Sequence, residues 1–371
     1  MPNKKSIRLI IIIFLVFIVY FLSASRSILP ETVLAPRWIS SLESEAPLII
    51  SSSEESGKML PFILGPRFGY VDTSGKFAVN KIKEANIYLS DKLWTEFIST
   101  PDRIEIKNIK QETVINLENV KGYPVLLDDR IFIFGNDQNE LSEIGPDGSV
   151  LWTYEYGALL TCIDAASGLV LTGSLDGIIE ILDSEGNRVY YFRPGGSRYE
   201  VILGCSISRN GSYLGIICGI DRQRFILLER FGNDREYKVV YHEYLDAGFR
   251  RPVHISFIDE DSRIVFEREG GIGCYSIRSR RLMTIPLEGK VAAVDDLGSG
   301  GVLFLITSRS MQRNELIGVK IPHDRLVSSD MRNNIFMRAP FRSEHIFLGR
   351  TGSMLVAGGG NLLVSFEMEE K

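Results

Sequence analysis

Residues 173–192, GSLDGIIEILDSEGNRVYYF, hold two short strands joined by the polar turn Asp183-Ser184-Glu185-Gly186. Upstream, residues 159–172 supply two more apolar runs, so residues 159–192 read as four strands. Glycine at the turn meets the demand for positive φ, and an apolar run of strand length between turn signals marks a buried strand. The same four-strand unit then recurs at a period of about 40 residues along most of the chain.

Hairpin signals lay the units out. FGYVDTSGKFAV turns at Asp72 to Gly75, and a unit at 87–117 turns near Asn108. Units follow at 123–156 (turn Pro146-Asp147-Gly148), 159–192, 201–243 (turn Gly232-Asn233-Asp234) and 253–287 (turn Arg278-Ser279-Arg280). A further unit at 291–327 turns near Pro322-His323-Asp324, and residues 344–369 supply three strands without a fourth. Within the units, runs such as VILGCSI are apolar throughout because both faces are covered, whereas REYKVVYHEY alternates as a solvent-bordering strand does. Repeats of this period predict an all-β fold, a β-propeller of seven blades, its ring closed by N- and C-terminal strands so that no open edge remains. Eight blades result if the N-terminal hairpin recruits PLII and PFIL as partners.

The body is preceded by LIIIIFLVFIVYFL, residues 9–22, with Lys4, Lys5 and Arg8 before it and Arg26 after. The charge bias puts the N-terminus in the cytoplasm and the rest outside. The run reads as one transmembrane signal anchor over 9–25; the other reading is a signal peptide cut after Ala24 or Ser25. The domain plan is a basic tail 1–8, the anchor 9–25, a linker 26–58 rich in Ser, Pro and Glu, and a propeller 59–371. The formal net charge is −5, and setting aside Lys4, Lys5 and Arg8 leaves −8 on the remainder. An acidic body argues against nucleic acid as a partner. Two short basic clusters, Arg250-Arg251 and Arg278 with Arg280 and Arg281, read as solvated turn residues.

EIGPDGSVLWTYEY, residues 143–156, resembles a repeat of the pyrroloquinoline-quinone-type propellers, in which an Asp-Gly-type turn precedes a tryptophan that packs between blades. ISRNGSYLGIICGIDRQRFILL, residues 207–228, resembles WD-repeat or YVTN-type blades, in which a Ser-x-x-Gly turn joins the first two strands. The resemblance spans most of residues 62–368 as a fold, with sharp motifs in two or three blades. Trp152 alone stands at the motif position; Trp38 and Trp94 lie outside it, and WD dipeptides are absent. Exported members of this superfamily include dehydrogenases and non-enzymatic scaffolds, among them the lipoprotein propeller that assists outer-membrane barrel assembly. This chain resembles the scaffolds. It lacks the repeated tryptophans, an adjacent Cys-Cys pair, a Cys-x-x-Cys-His sequence and a lipoprotein cysteine after the apolar run.

No residue pattern points to a catalytic, cofactor-binding or metal site. His242, His254, His323 and His345 fall in different units without metal-ligand spacing. Asp128-Asp129, Asp259-Glu260-Asp261 and Asp295-Asp296 fall where a first strand meets its second and read as turn residues. Gly270–Gly273, Gly298–Gly301 and Gly358–Gly360 lack the following helix a phosphate cradle needs. Asn210-Gly211-Ser212 is a formal glycosylation sequon on a turn. Export would put Cys162, Cys205, Cys218 and Cys274 in a disulfide-permissive compartment, but Cys205 and Cys218 flank that turn diagonally, Cys218 opposite roughly Leu203, and so read as buried free thiols rather than a disulfide. The expectation is therefore a membrane-anchored extracytoplasmic scaffold that binds an envelope or membrane protein through one flat face of its disc. The competing expectation is a small-ligand sensor or enzyme with acids, Arg or His gathered at the mouth of the central channel.

Overall fold

In the computed structural model, residues 13–18, 20, 32–43, 48–49, 59–98, 102–127, 129–232, 236–246, 248–295, 301–310, 312–321 and 332–370 are described. Two units divide the chain: residues 36–367, and residues 1–35 with 368–371. In the smaller unit residues 13–18 and 20 are helical and exposed. The rest of the expected anchor, and the basic tail before it, lie outside the described residues. Among the described residues no helix is long and apolar enough to cross a membrane.

The larger unit is a β-propeller of eight sheets. Blade 1 has three strands (60–82), and blades 2 to 7 have four each, at 86–118, 122–155, 160–192, 202–244, 255–286 and 290–342. Blade 8 takes Ile346–Thr351, Met354–Gly359 and Leu362–Glu370 from the C-terminus, then adds Thr32–Ser41 and Leu48–Ile49 from the N-terminal side. Within blades 1 to 7 each strand pairs antiparallel with its neighbours in sequence, as short hairpin turns require.

The blades number eight, the alternative to the seven expected first, and two segments account for it. PFIL is not a spare strand: Leu60–Leu64 buries Leu60, Phe62 and Leu64 on one side and pairs with Arg67–Val71, turning the lone hairpin into its own blade. The strand that completes the C-terminal triplet is Thr32–Ser41, inside the stretch read as linker. There Trp38 and Ser40 are buried, and Leu42 N donates to Asn361 O at 2.8 Å. PLII contributes its Leu48–Ile49 to blade 8 rather than to blade 1. The unit expected to end at Val327 extends to Arg342, since its outer strand is Ile335–Arg342, and the turn at Pro322 to Asp324 lies outside the described residues.

Between blades the core is a series of apolar layers. Leu171, Ile179 and Ile181 of blade 4, for example, pack on Ile202, Ile216 and Ile226 of blade 5. None of the four cysteines is disulfide-bonded; Cys162 is half-buried and the other three buried. Cys218 pairs with Ile202 across a bulge and Cys205 with Ile216, one step from the register expected. Burial pushes the Cys218 thiol up to about 11, and burial followed by contact with Cys162 raises that of Cys205.

Candidate functional site

The inner strands of neighbouring blades run side by side, so their ends converge on the two mouths of the central channel. At the mouth where each inner strand turns into its neighbour, carboxylates gather from several blades. Asp164 Oδ2 accepts bonds from Ser206 Oγ at 3.0 Å and Ile207 N at 2.9 Å. Asp261 Oδ2 accepts one from Arg209 N at 2.8 Å. Asp295 accepts Nε and Nη2 of Arg350 at 2.9 and 2.5 Å, with both side chains buried. Lys92 reaches Asp129, and Arg130 Nη1 donates to Leu169 O at 3.4 Å.

Each of these bonds joins one blade to the next. Two more junctions are tied by aromatic side chains. Tyr70 OH donates to Ser90 O and Leu93 O, both at 2.8 Å, and Trp38 Nε1 donates to Thr73 O at 2.9 Å. Polar stitches thus cross seven junctions, and blades 6 and 7 pack through Met283, Ile285, Leu303 and Ile317. A cavity of about 390 Å³ lies beside Asp164, Ser206, Arg209, Ser256 and Asp261, and another of about 240 Å³ beside Asp91, Asp295 and Arg350. The mouth is thus charged, and its acids are engaged in holding the ring together.

The opposite face has a different character. The loop from Phe192 to Val201 is held from below. Arg224 Nη2 donates to Pro194 O at 2.6 Å, and Arg193 Nη1 to Glu200 at 3.1 Å. The Asp221 carboxylate accepts Ser197 Oγ and the amide of Arg198, the latter at 3.0 Å. This frame displays Tyr199 and Tyr244, 55% and 41% exposed, and Leu159 and Leu175 of the preceding blade are exposed as well. Arginines lie over the rings: Arg222 is 4.3 Å from the Tyr244 centroid, Arg198 5.5 Å from Tyr199, and Arg251 4.6 Å from Phe249. Tyrosine and arginine on a rigid frame are the residue types that dominate protein interfaces, because large area is contributed with little ordering cost.

Bonds from Ser197 Oγ first, then from backbone amides, hold the Asp221 carboxyl below its ordinary value of 3.8. A depressed folded pKa makes this contribution full above the unfolded value and lost as pH falls through the folded one. The loop frame is therefore expected to be constant from neutral pH to about pH 4 and to loosen only below that. In Asp221→Asn at neutral pH, amide exchange at Arg198 and Tyr199 should rise about tenfold, the size of one charge-assisted bond. Unchanged exchange would mean that Arg224 and Glu200 alone hold the loop.

The residues singled out in the sequence are scattered. His242 lies on an outer strand of blade 5, His254 bonds Ser256 Oγ at 3.0 Å, His345 precedes the inner strand of blade 8, and His323 lies outside the described residues. Among the described residues no group of three potential metal ligands forms. Asp129, Asp259, Glu260 and Asp261 occupy turns with positive φ, while Asp128 and Asp296 lie outside the described residues. Arg251 is not simply solvated: it grips Glu267 through two bonds of 2.9 and 2.6 Å. Asn210 spends its side-chain oxygen on Ser208 Oγ and Ser212 N. Gly270 and Gly360 lie in turns, whereas Gly271 and Gly273 belong to the paired strand Gly271–Ser276 and Gly358 and Gly359 to the strand Met354–Gly359; of Gly298–Gly301 only Gly301 is described.

A family model described as a beta-propeller protein matches residues 1–368. The chain belongs to this family. It is 27% identical over 234 residues to an uncharacterized protein of Treponema pallidum (strain Nichols), a match covering 63% of this chain and 61% of that relative's length. Among solved structures it resembles the computationally designed Ika8 protein, with a TM-score of 0.60, 11% identity and coverage of 85% and 94% of the two chains. It also resembles BamB from Moraxella catarrhalis, with a TM-score of 0.52, 12% identity and coverage of 90% and 100%. At such identities these structures bear on the fold alone.

Proposed function

We propose that this propeller is a non-catalytic protein-interaction scaffold, anchored in the cytoplasmic membrane by residues 9–25 and facing the periplasm of a bacterial envelope. The observation that carries the reading is the braced loop with exposed Tyr199, Tyr244, Arg198 and Arg222, an interface-type surface. The export half rests on the apolar run 9–22, which has Lys4, Lys5 and Arg8 on its N-terminal side against Arg26 alone just after it. Kinship with the quinone-type propellers is supported by Trp152, over which the Gly186 turn of the next blade sits so closely that a Cβ there would lie 2.6 Å from the ring.

A second reading, a small-ligand site at the channel mouth, is favoured by Asp164, Arg209 and Asp261 around one cavity. Their carboxylates are already bonded to neighbouring blades, which is why the scaffold stands first. Crosslinking in intact cells, followed by mass spectrometry of the membrane fraction, tests both. The scaffold predicts one recurrent envelope partner linked near residues 193–201, lost in Tyr199→Ala/Arg222→Ala. Intact chain in the membrane with no partner, or a partner indifferent to that double change, would move the function to the channel mouth.

A further inference from the structure

Blades 7 and 8 do not close fully on one another. Two cavities share the wall Pro340, Phe341 and Arg342. One, of about 330 Å³, runs between Leu316 and Phe341 of blade 7 and Leu362, Val364 and Phe366 of blade 8; every other side chain along it is apolar or glycine, save Arg342. It stays open because Gly359 has no side chain, and a Cβ there would stand 3.4 Å from both Phe341 and Ser343. The other, of about 510 Å³, is lined by Arg309, Arg313, Asn314 and Glu315 as well.

The charges around this second cavity are unbalanced. Arg313 and Arg342 are direct cross-strand partners, an arrangement in which like charges repel. The one acid in the cavity, Glu315, is already shared by Arg309 at 3.7 Å and Arg338 at 2.8 Å. Neither Arg313 nor Arg342 has a carboxylate within ion-pair distance among the described residues. On a body with net negative charge, two facing arginines at the end of an apolar groove complement an anion joined to an apolar chain. A peptide suits the groove poorly, since beyond Arg342 at its end no side chain along the walls offers a donor or acceptor for buried amide groups.

We propose that this groove binds a medium-chain aliphatic carboxylate, with the chain between Leu316, Phe341, Leu362 and Phe366 and the head group at Arg342 and Arg313. The site is independent of the tyrosine-arginine face, so either can fail alone. The test is photolabelling of the full-length protein in zwitterionic nanodiscs with decanoate carrying a diazirine in its chain. Adducts are expected on residues 339–342 and 357–366. Labelling there should fall about tenfold or more in Arg313→Gln/Arg342→Gln, where two charge-assisted bonds are lost. Gly359→Leu should block it while the circular dichroism of the native sheet persists. A probe with the same chain and a trimethylammonium head should leave the groove unlabelled. Equal labelling by the cationic probe, labelling unchanged in the arginine variant, or adducts only elsewhere would overturn the proposal. So would protection of the groove by an acidic peptide but not by unlabelled decanoate, which would assign it to a protein segment.

Discussion

Replacing Arg350 by leucine should lower the unfolding free energy by about 3–5 kcal/mol, among the largest losses any single substitution in this propeller can cause. Asp295 and Arg350 are buried at the junction of blades 7 and 8, and the guanidinium also stacks 5.5 Å from the centroid of Phe304. Removing the cation strands a carboxylate in an interior with little water. Its desolvation cost then stands without the Coulombic attraction that offset it. Removing both charges is a different experiment. Asp295→Leu/Arg350→Met should recover most of the loss, since a buried pair roughly breaks even against apolar groups of similar volume. Equilibrium unfolding in urea, followed by tryptophan fluorescence, measures both. A loss under about 1 kcal/mol in Arg350→Leu would show that water in the adjoining cavity of about 240 Å³ solvates Asp295, making the pair a channel feature rather than a structural one.

Much of the ring was legible because each blade is a local object. In blades 3 and 4 the turns Pro146-Asp147-Gly148 and Asp183 to Gly186 lie between strands Glu140–Ile144 and Val150–Glu155, and Ile179–Leu182 and Arg188–Phe192. Turn chemistry and apolar runs specify such hairpins within a few residues. The blade count was harder, since it depends on pairings distant in sequence. Nothing local says that Arg37 will meet Glu367, yet Arg37 Nε lies 2.6 Å from Glu367 Oε2. Thr32–Ser41 reads as linker because it carries Pro36 and two serines among its apolar residues, and its strand identity comes from the sheet it joins. Outer strand Ile335–Arg342 was missed for a similar reason, with Pro340 in its middle; the edge of a sheet tolerates a residue that donates no ladder bond.

The candidate surface was less legible than the fold. Asp129 and Asp259-Glu260-Asp261 do occupy first turns, whereas Asp295 is buried against Arg350, and the role of each depends on which blade lies alongside. Asp261 bonds the amide of Arg209, a residue 52 positions away. Asp164 carried a signal that could have been used: a carboxylate within the strand LTCIDAA, where its neighbours Ala165 and Ala166 are buried, must find a partner. Tyr199, Tyr244 and Arg222 carried none. Aromatic and basic residues in loops are common, and only the frame built by Asp221, Arg224 and Glu200 brings them together.

Trp38→Ala should cost about 3–5 kcal/mol, and its effect should be concentrated where the ring closes. The indole is 1% exposed and packs with Leu60, Phe62, Val71, Val356 and Leu363, drawing blade 8 and blade 1 into one apolar cluster. Its N–H is bonded to Thr73 O, and the Gly75 turn lies so close over the ring that a Cβ there would stand 2.7 Å from Cδ2. Trp38 therefore does at the closure what Trp152 does beneath Gly186 between blades 3 and 4, although no motif surrounds it. The two positions differ in what else holds the neighbourhood. Trp152 sits on a strand continuous in sequence with its own blade, whereas Trp38 belongs to a strand contributed from the other end of the chain. That strand is further held by its ladder with Leu362–Glu370 and by Arg37 to Glu367, Ser40 Oγ to Gly75 O at 2.7 Å, and Leu42 N to Asn361 O. A ring opened at one junction exposes two sheet faces together, so loss of this anchor should couple both flanking blades. Hydrogen exchange should rise in Trp38→Ala across 36–43 and 60–82 together, while Trp152→Ala should raise it only near 150–155 and 183–188. If exchange at 60–82 stays at the wild-type level, the strand ladder closes the ring without the indole, and the measured loss is that of a cavity alone.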